Sequence, residues 1–339
     1  MDCLCCANGG AGPATDSEFL GSVCNLKMDG MTATAKFPAE PDRYVLYVIA
    51  GCPFAARPWV IQSIYGLPIQ TVKLFPASYD QGWFFSPTSP GEQDLVNNFP
   101  DAQYDSSDPV HPSSNENEKI HHLKQLYVKA NPKFEGAVSV PLLWDKEQDQ
   151  AVSNSSFGLA EMMYSQMRGM ATRNQDLELF PSDPQRQREH SELLQFLHSK
   201  VTTSVYKMNA TRNGKDHDRM AEEYYETLRE LQKRIETNDG KWLMSGPSPT
   251  FADFVFWISL VRLDLAYQWR FGLGKYNIRE DYPQLQLYIN RIFEIEGVKE
   301  TVLPRDLMAL YFMTLKWTQN DNGRSLPLVP NTWAKTNGF

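Results

Sequence analysis

The sequence predicts an α/β domain followed by an all-helical domain, and three observations carry that prediction. The chain is 339 residues long, more than one ordinary core holds, so two domains are expected. An apolar run, Tyr44-Val45-Leu46-Tyr47-Val48-Ile49-Ala50, leads through Gly51 into Cys52-Pro53 and a helical stretch. From about residue 184 onward, apolar residues recur at helical spacing only.

The run 44–50 is mostly β-branched, aliphatic or aromatic and reads as a buried strand. Gly51 lets the chain turn, and Pro53 suits a first helical position, where a missing N–H has no partner to lose. The helix runs from about 53 to 65 with Trp59, Val60, Ile61 and Ile64 on its inward face, and Gly66 closes it. Pro58 falls early enough to be tolerated. Ile69 to Phe75 reads as a second strand, and so compact a strand–helix–strand unit predicts a parallel pair. Residues 76–117 carry prolines at 76, 87, 90, 100, 109 and 112 among Gly, Ser, Asn and Asp. Loops of that length are functional or disordered. Gly82-Trp83-Phe84-Phe85 is the one apolar spot able to anchor this loop. A helix follows from about 118 to 130.

Pro141, inside Val138-Ser139-Val140-Pro141-Leu142-Leu143-Trp144, cannot donate to a ladder and belongs at an edge or in a cis turn. Asp145 to Asp149 form a hairpin turn into a short strand at Ala151-Val152. Asn154-Ser155-Ser156 then cap a helix to about Met167. The organisation is a tail or arm over 1–40, the α/β domain over 41–169, a linker over 170–183, the helical domain over 184–318 and a tail over 319–339. Helices are expected over 184–204, 217–237, 250–270 and 281–296, and from Arg305. Thr250 and Asp253 sit three apart as an N-cap pair ahead of Phe254-Val255-Phe256-Trp257-Ile258, a central buried helix.

Composition narrows the function. Apolar content of 42% and charged content of 22% are those of a soluble globular protein. A net charge of −8 with no Lys/Arg cluster argues against nucleic acid as a partner. No apolar run approaches the length of a membrane span. Five cysteines, an odd number in a long chain, fit a reducing, cytoplasmic compartment better than a disulfide framework. Three of them, Cys3, Cys5 and Cys6, cluster before the first basic residue, Lys27, which disfavours transit and signal peptides. Asp2 excludes N-myristoylation, and acylation of the cluster is the less favoured alternative to a disordered tail.

Cys52 has two readings. Free cysteine is among the most buried residue types, and most do nothing but pack. At a helix N-terminus, however, the dipole and unpaired N–H groups favour thiolate, lowering the pKa below the free value of about 8.5. Position 55 is Ala55, so there is no Cys-x-x-Cys pair. A reactive Cys52 therefore works as a single thiol with an external thiol partner.

These blocks resemble a known family, the xi-class glutathione transferases or glutathionyl-hydroquinone reductases. Cys52-Pro53-Phe54-Ala55-Ala56-Arg57 is similar to the family's Cys-Pro-Trp-Ala-His-Arg, and Gly82-Trp83 to its Gly-Trp element. Leu126-Tyr127-Val128-Lys129-Ala130-Asn131-Pro132 and Val140-Pro141-Leu142-Leu143-Trp144-Asp145-Lys146 resemble two further blocks, as do Leu260-Val261-Arg262-Leu263-Asp264 and Asp281-Tyr282-Pro283. The likeness spans about residues 40–330. It implies a thioredoxin-like domain plus an all-α domain, the glutathione transferase fold, as a homodimer with glutathione as co-substrate and no metal. It also implies Cys52 as nucleophile, Pro141 as a cis-proline and Val140 backbone pairing with the cysteinyl part of glutathione. Trp83 would pack over the tripeptide, Ser156 would hold its γ-glutamyl carboxylate, and Tyr206, Tyr267 and Tyr311 would line the hydroquinone pocket.

Two departures stand out. The family glutamate that pairs with the glutathione α-amino group is Ser155 here, and the motif histidine and tryptophan are Ala56 and Phe54. Losing a charge-assisted bond of about 1.5–3 kcal/mol weakens glutathione about tenfold or more unless another carboxylate compensates. The resemblance implies a thiol transfer that removes glutathione from glutathionyl-hydroquinones through a Cys52 mixed disulfide. A non-catalytic binding protein for a hydrophobic ligand or partner is the alternative that Ser155 and Ala56 favour. Ordinary conjugation of glutathione is disfavoured, because a cysteine here forms a mixed disulfide.

Overall fold

The computed structural model describes residues 37–75, 83–85, 120–211 and 213–312. The N-terminal arm with its cysteine cluster, most of the proline-rich loop including Gly82, and the C-terminal tail lie outside the described residues. The described chain falls into two compact units, residues 37–173 with 300–312, and residues 174–299.

The first unit is built on a four-stranded sheet. Its elements are β1 (Tyr44–Val48), α1 (Pro53–Tyr65), β2 (Gln70–Lys73), α2 (Leu123–Ala130), β3 (Leu142–Asp145), β4 (Gln150–Ser153) and α3 (Ser156–Met162). The sheet order is β2-β1-β3-β4. β1 runs parallel to β2, with Val45 opposite Gln70, and antiparallel to β3, with Val45 opposite Trp144. β3 and β4 pair antiparallel, with a register shift between Leu143 and Trp144. All five residues of β1 are buried, which explains its unbroken apolar run, whereas β2 is a half-buried edge.

Four elements are shorter than the sequence predicts, each for a local reason. β1 stops at Val48 because Ile49 turns out of the ladder, its carbonyl accepting the Cys52 N–H at 2.9 Å. β2 stops at Lys73 because Phe75 pairs instead with Phe84, its N–H donating to Phe84 O at 3.2 Å and its carbonyl accepting at 3.1 Å. That bridge anchors Trp83, Phe84 and Phe85, all buried. β3 begins only after Pro141, which follows a cis peptide bond with Val140. α2 starts at Leu123 rather than near 118, since His122 caps it and the Gln125 side chain accepts the His122 N–H at 2.9 Å.

α1 also corrects the one-faced reading. Every residue from Pro53 to Ile61 is buried, so this helix is covered on all sides rather than along one stripe. Gly66 ends it at φ 55°, a left-handed conformation that glycine adopts without steric cost. The chain is tied to this end of α1 a second time. The Thr172 N–H donates to Tyr65 O at 2.9 Å, and Arg173 Nε donates to Ser63 O at 2.9 Å. Arg173 also pairs with Glu300 at 2.8 Å, and Ser63 Oγ donates to the same carboxylate at 3.1 Å.

The second unit is helical: α4 (Pro184–Phe196), α5 (Ser204–Ala210), α6 (Gly214–Thr237), α7 (Phe251–Arg262) and α8 (Pro283–Phe293), with shorter turns between. α9 (Pro304–Phe312) belongs to the first unit. The long helices expected over 184–204 and 250–270 are interrupted by π-helical turns at Leu197–Thr202 and Leu263–Tyr267. A third π turn, Met163–Met167, extends α3. α7 is buried at every position and is capped as its sequence indicates, Thr250 and Asp253 bonding reciprocally. No helix among the described residues is long and apolar enough to cross a membrane.

His190 on α4 is buried, and its Nε2 accepts the Ala252 N–H at the start of α7 at 3.2 Å. Burial holds its pKa down at about 4. The folded state therefore binds fewer protons than the unfolded one between about pH 4 and 6.5, and its contribution to stability is lost as pH falls through that window. As pH falls over this range, the melting temperature of a His190→Asn variant is expected to rise relative to that of wild type. Asp264, pushed up to about 6 by burial, has the opposite sign there. The difference between the two proteins is therefore the readout, and parallel profiles would show that His190 is not held neutral.

Candidate functional site

The site grows from the β1–α1 turn. Cys52 has extended backbone (φ −76°, ψ 119°) and caps α1, its Sγ accepting the Ala55 N–H at 3.4 Å. That is the N-terminal placement expected from Cys-Pro after a strand, and such a donor stabilises a thiolate. Sγ lies 3.9 Å from the Val140 carbonyl, so the cysteine and the cis Val140–Pro141 bond meet. Cys52 is buried.

The two serines take different roles. Ser155 is the N-cap of α3, its Oγ accepting the Gly158 N–H at 3.1 Å while its own N–H donates to Ser153 Oγ at 3.1 Å. Ser156 Oγ accepts from Arg57 Nη1 at 2.8 Å. A guanidinium can only donate, so this contact leaves the Ser156 proton available to an acceptor elsewhere. Arg57 is buried, with its guanidinium carbon 4.0 Å from the Phe157 ring centre and 5.0 Å from that of Phe54. It thus ties the helix carrying Cys52 to the helix carrying Ser156.

Asn154 precedes these serines. Its Nδ2 donates to Tyr127 Oη at 3.0 Å, and the tyrosine spends its own proton on the Ser139 carbonyl at 2.8 Å. That direction fixes the amide, and leaves Asn154 Oδ1 buried without a partner among the described residues. Trp83, nine-tenths buried, accepts the Leu123 N–H at its carbonyl at 2.7 Å, while its Nε1 is buried with no partner among the described residues. Trp83 Nε1 and Asn154 Oδ1, a buried donor and a buried acceptor, are thus unsatisfied among the described residues, a costly arrangement unless a ligand completes it.

The expected pocket tyrosines separate. Tyr206 and Tyr267, both in the helical unit, have hydroxyls 3.4 Å apart and edge-to-face rings at 6.3 Å. Both rings pack on Phe271, at 5.4 and 5.1 Å. Tyr267 ends the π turn Leu263–Tyr267, and Tyr206 follows the π turn Leu197–Thr202 by one turn of helix. Tyr311, on α9 of the first unit, instead donates its proton to the Gly51 carbonyl at 3.2 Å.

The comparisons with known proteins fit this geometry. Residues 215–291 match the model of the glutathione S-transferase C-terminal domain. The chain is 30% identical over 296 residues to the glutathionyl-hydroquinone reductase YqjG of Escherichia coli, covering 87% of this chain and 81% of that protein. The chain belongs to the xi-class glutathione transferases. A crystal structure of the xi glutathione transferase of Phanerochaete chrysosporium superposes with a TM-score of 0.73 at 25% identity, over 88% of each chain. The glutathione-bound structure of YqjG does so with a TM-score of 0.70 at 28% identity, over 85% of this chain and 84% of the other. This xi-class transferase is accordingly a glutathione-dependent enzyme with a thioredoxin-like domain and an all-α domain.

The orphaned Trp83 Nε1 offers a donor, Asn154 Oδ1 an acceptor and Ser156 a hydroxyl proton. Arg57 and Asn154 are the site residues that sequence reasoning overlooked. Arg57 lies in the same quoted block as Cys52, and Asn154 directly precedes Ser155, which is the signal that could have found them. Among the described residues no group of three or more His, Cys, Asp or Glu side chains is placed to hold a metal ion.

Proposed function

We propose that this enzyme removes glutathione from glutathionyl-hydroquinones by thiol transfer through Cys52. The observation that carries the reading is the Cys52 sulfur, held at the α1 N-terminus by the Ala55 N–H beside the cis Val140–Pro141 bond. The likeness to a named glutathionyl-hydroquinone reductase supports it. In the first step the Cys52 thiolate attacks the glutathione sulfur of the substrate. A Cys52–glutathione disulfide forms and the aryl C–S bond breaks. The bonding pair goes to the ring carbon, which takes a proton to give the free hydroquinone. A second glutathione thiolate then attacks the glutathione sulfur of the mixed disulfide, giving glutathione disulfide and the Cys52 thiolate. One glutathione is consumed per hydroquinone released, which suits a reducing, cytoplasmic setting.

In this reading the Val140 backbone pairs with the cysteinyl part of glutathione, Pro141 is the cis-proline beside it, Trp83 packs over the tripeptide, and Ser156 donates to the γ-glutamyl carboxylate. Ser155 serves that helix as its cap, so the ammonium group falls to Asn154 Oδ1, the unsatisfied acceptor one residue earlier. Tyr206 and Tyr267 supply the hydroxyls for the hydroquinone oxygens. The expected homodimer belongs to the same proposal and is read by light scattering on the eluted protein. The test of function is glutathione-dependent release of menadiol from glutathionyl-menadiol, with stoichiometric glutathione disulfide. Release without disulfide formation, or no release together with no rise in melting temperature on adding glutathione, would overturn the proposal.

A further inference from the structure

The peptide unit that joins Gly51 to Cys52 is held at both of its polar ends. Its N–H, which belongs to Cys52, donates to the Ile49 carbonyl at 2.9 Å. Its C=O, which belongs to Gly51, accepts the Tyr311 hydroxyl at 3.2 Å. Tyr311 and Leu310 are neighbours on α9, and both are fully buried. Leu310 closes on the same turn, since a Cβ built on Gly51 would lie 2.5 Å from Leu310 Cδ2 and 2.6 Å from Leu310 Cβ. Gly51 is thus required by the close approach of α9. Two consecutive residues of one helix therefore grip the residue immediately before the nucleophile.

We infer that Tyr311 is a positioning residue for Cys52, acting through the Gly51 carbonyl rather than by touching the aromatic substrate. The inference rests on Cys52 being the reactive thiol of the proposed function. With both ends of the peptide unit bonded, its plane is fixed, and with it the direction of the Cys52 side chain. That direction brings Sγ to 3.4 Å from the Ala55 N–H, the donor that favours the thiolate. A phenol has one proton to give, and here it goes to the Gly51 carbonyl, more than 250 residues away in sequence. Tyr206 and Tyr267 face one another instead, so the three tyrosines divide into a pair assigned to the substrate and one assigned to the nucleophile.

The test is Tyr311→Phe in the full chain, which keeps the ring and removes only the hydroxyl. Thiolate absorbance at 240 nm is titrated against pH and read as the difference from a Cys52→Ser background. It is measured alongside kcat and KM for glutathionyl-menadiol. The expected result is a Cys52 titration shifted upward by half a unit or more, kcat lowered at least threefold at pH 6, and KM within twofold of wild type. An unchanged titration with KM raised fivefold or more would return Tyr311 to the substrate pocket and overturn the inference. So would a variant matching wild type in titration, kcat and KM. If wild type itself shows no thiolate that the Cys52→Ser variant lacks, the thiol-transfer reading fails and takes this inference with it.

Discussion

Cys52→Ser is expected to lower glutathione-dependent turnover by on the order of 10³-fold or more while the protein stays folded. The two halves of that expectation come from different features of one residue. The chemistry needs a sulfur anion able to form and then release a disulfide, which an alcohol cannot supply near neutral pH. The fold needs only an acceptor at the α1 N-cap, where Sγ now takes the Ala55 N–H at 3.4 Å. Serine is a preferred N-cap residue, and its oxygen can take that role. The melting temperature should therefore stay within a few degrees of wild type. Mass spectrometry of wild type stopped during turnover should show glutathione on Cys52, and the serine variant should show none there. Turnover surviving in the variant above about one part in a hundred would mean that another group carries the reaction.

Asp253→Ala is the substitution expected to damage the fold most. Its carboxylate is completely buried and accepts from four donors: the Leu243 N–H at 2.8 Å, the Thr250 N–H at 2.7 Å, the Thr250 hydroxyl at 3.0 Å and the Tyr288 hydroxyl at 3.0 Å. Burial pushes its pKa up, and the hydrogen bonds from Leu243, Thr250 and Tyr288 pull against that shift. Alanine leaves buried backbone N–H groups unsatisfied, each costing about 1–3 kcal/mol, and removes half of the α7 capping box. A total of about 3–5 kcal/mol is expected. Thr250→Ala, which spares the carboxylate and three of its donors, should cost only about 1 kcal/mol. The pair is compared by urea titration of tryptophan fluorescence, with Trp242 and Trp257 in the same unit as reporters. Equal losses for the two variants would show that the hydroxyl–carboxylate bond, rather than the buried carboxylate as a whole, carries the effect.

Much of this fold was legible because its signals are local. The strand into Cys52-Pro53, the Gly66 stop, the Asp145–Asp149 turn and the Thr250/Asp253 box each depend on residues within a few positions of one another. The misreadings share the opposite property. The all-round burial of α1 could not be read from its inward stripe, because Arg57, Pro58 and Ser63 look like surface residues until Ser156, Phe157 and Glu300 are brought to them. The π turns change the helical period for only five or six residues, too few to disturb an apolar pattern such as Leu263–Tyr267. At the candidate site, Cys52, Val140 and Pro141 were visible as motif residues. The bond of Tyr311 to Gly51 was not, since nothing in either residue's neighbourhood names the other.

The clasp at the end of α1 bears on how this chain can vary. Arg173 and Glu300 meet at 2.8 Å, both held to Ser63, so the polypeptide departs and re-enters at a single doorway. Everything from 174 to 299 is, topologically, an excursion with its two ends already joined. Because that ion pair is partly exposed, it contributes little energy by itself, and the doorway is held as much by the backbone bond from Thr172 to Tyr65. Lengthening such an excursion costs only logarithmically in closure entropy. A lineage carrying this gene could therefore trade, extend or recut the intervening helices in whole pieces while the threshold residues 172, 173 and 300, and the framework they fasten, stay in place.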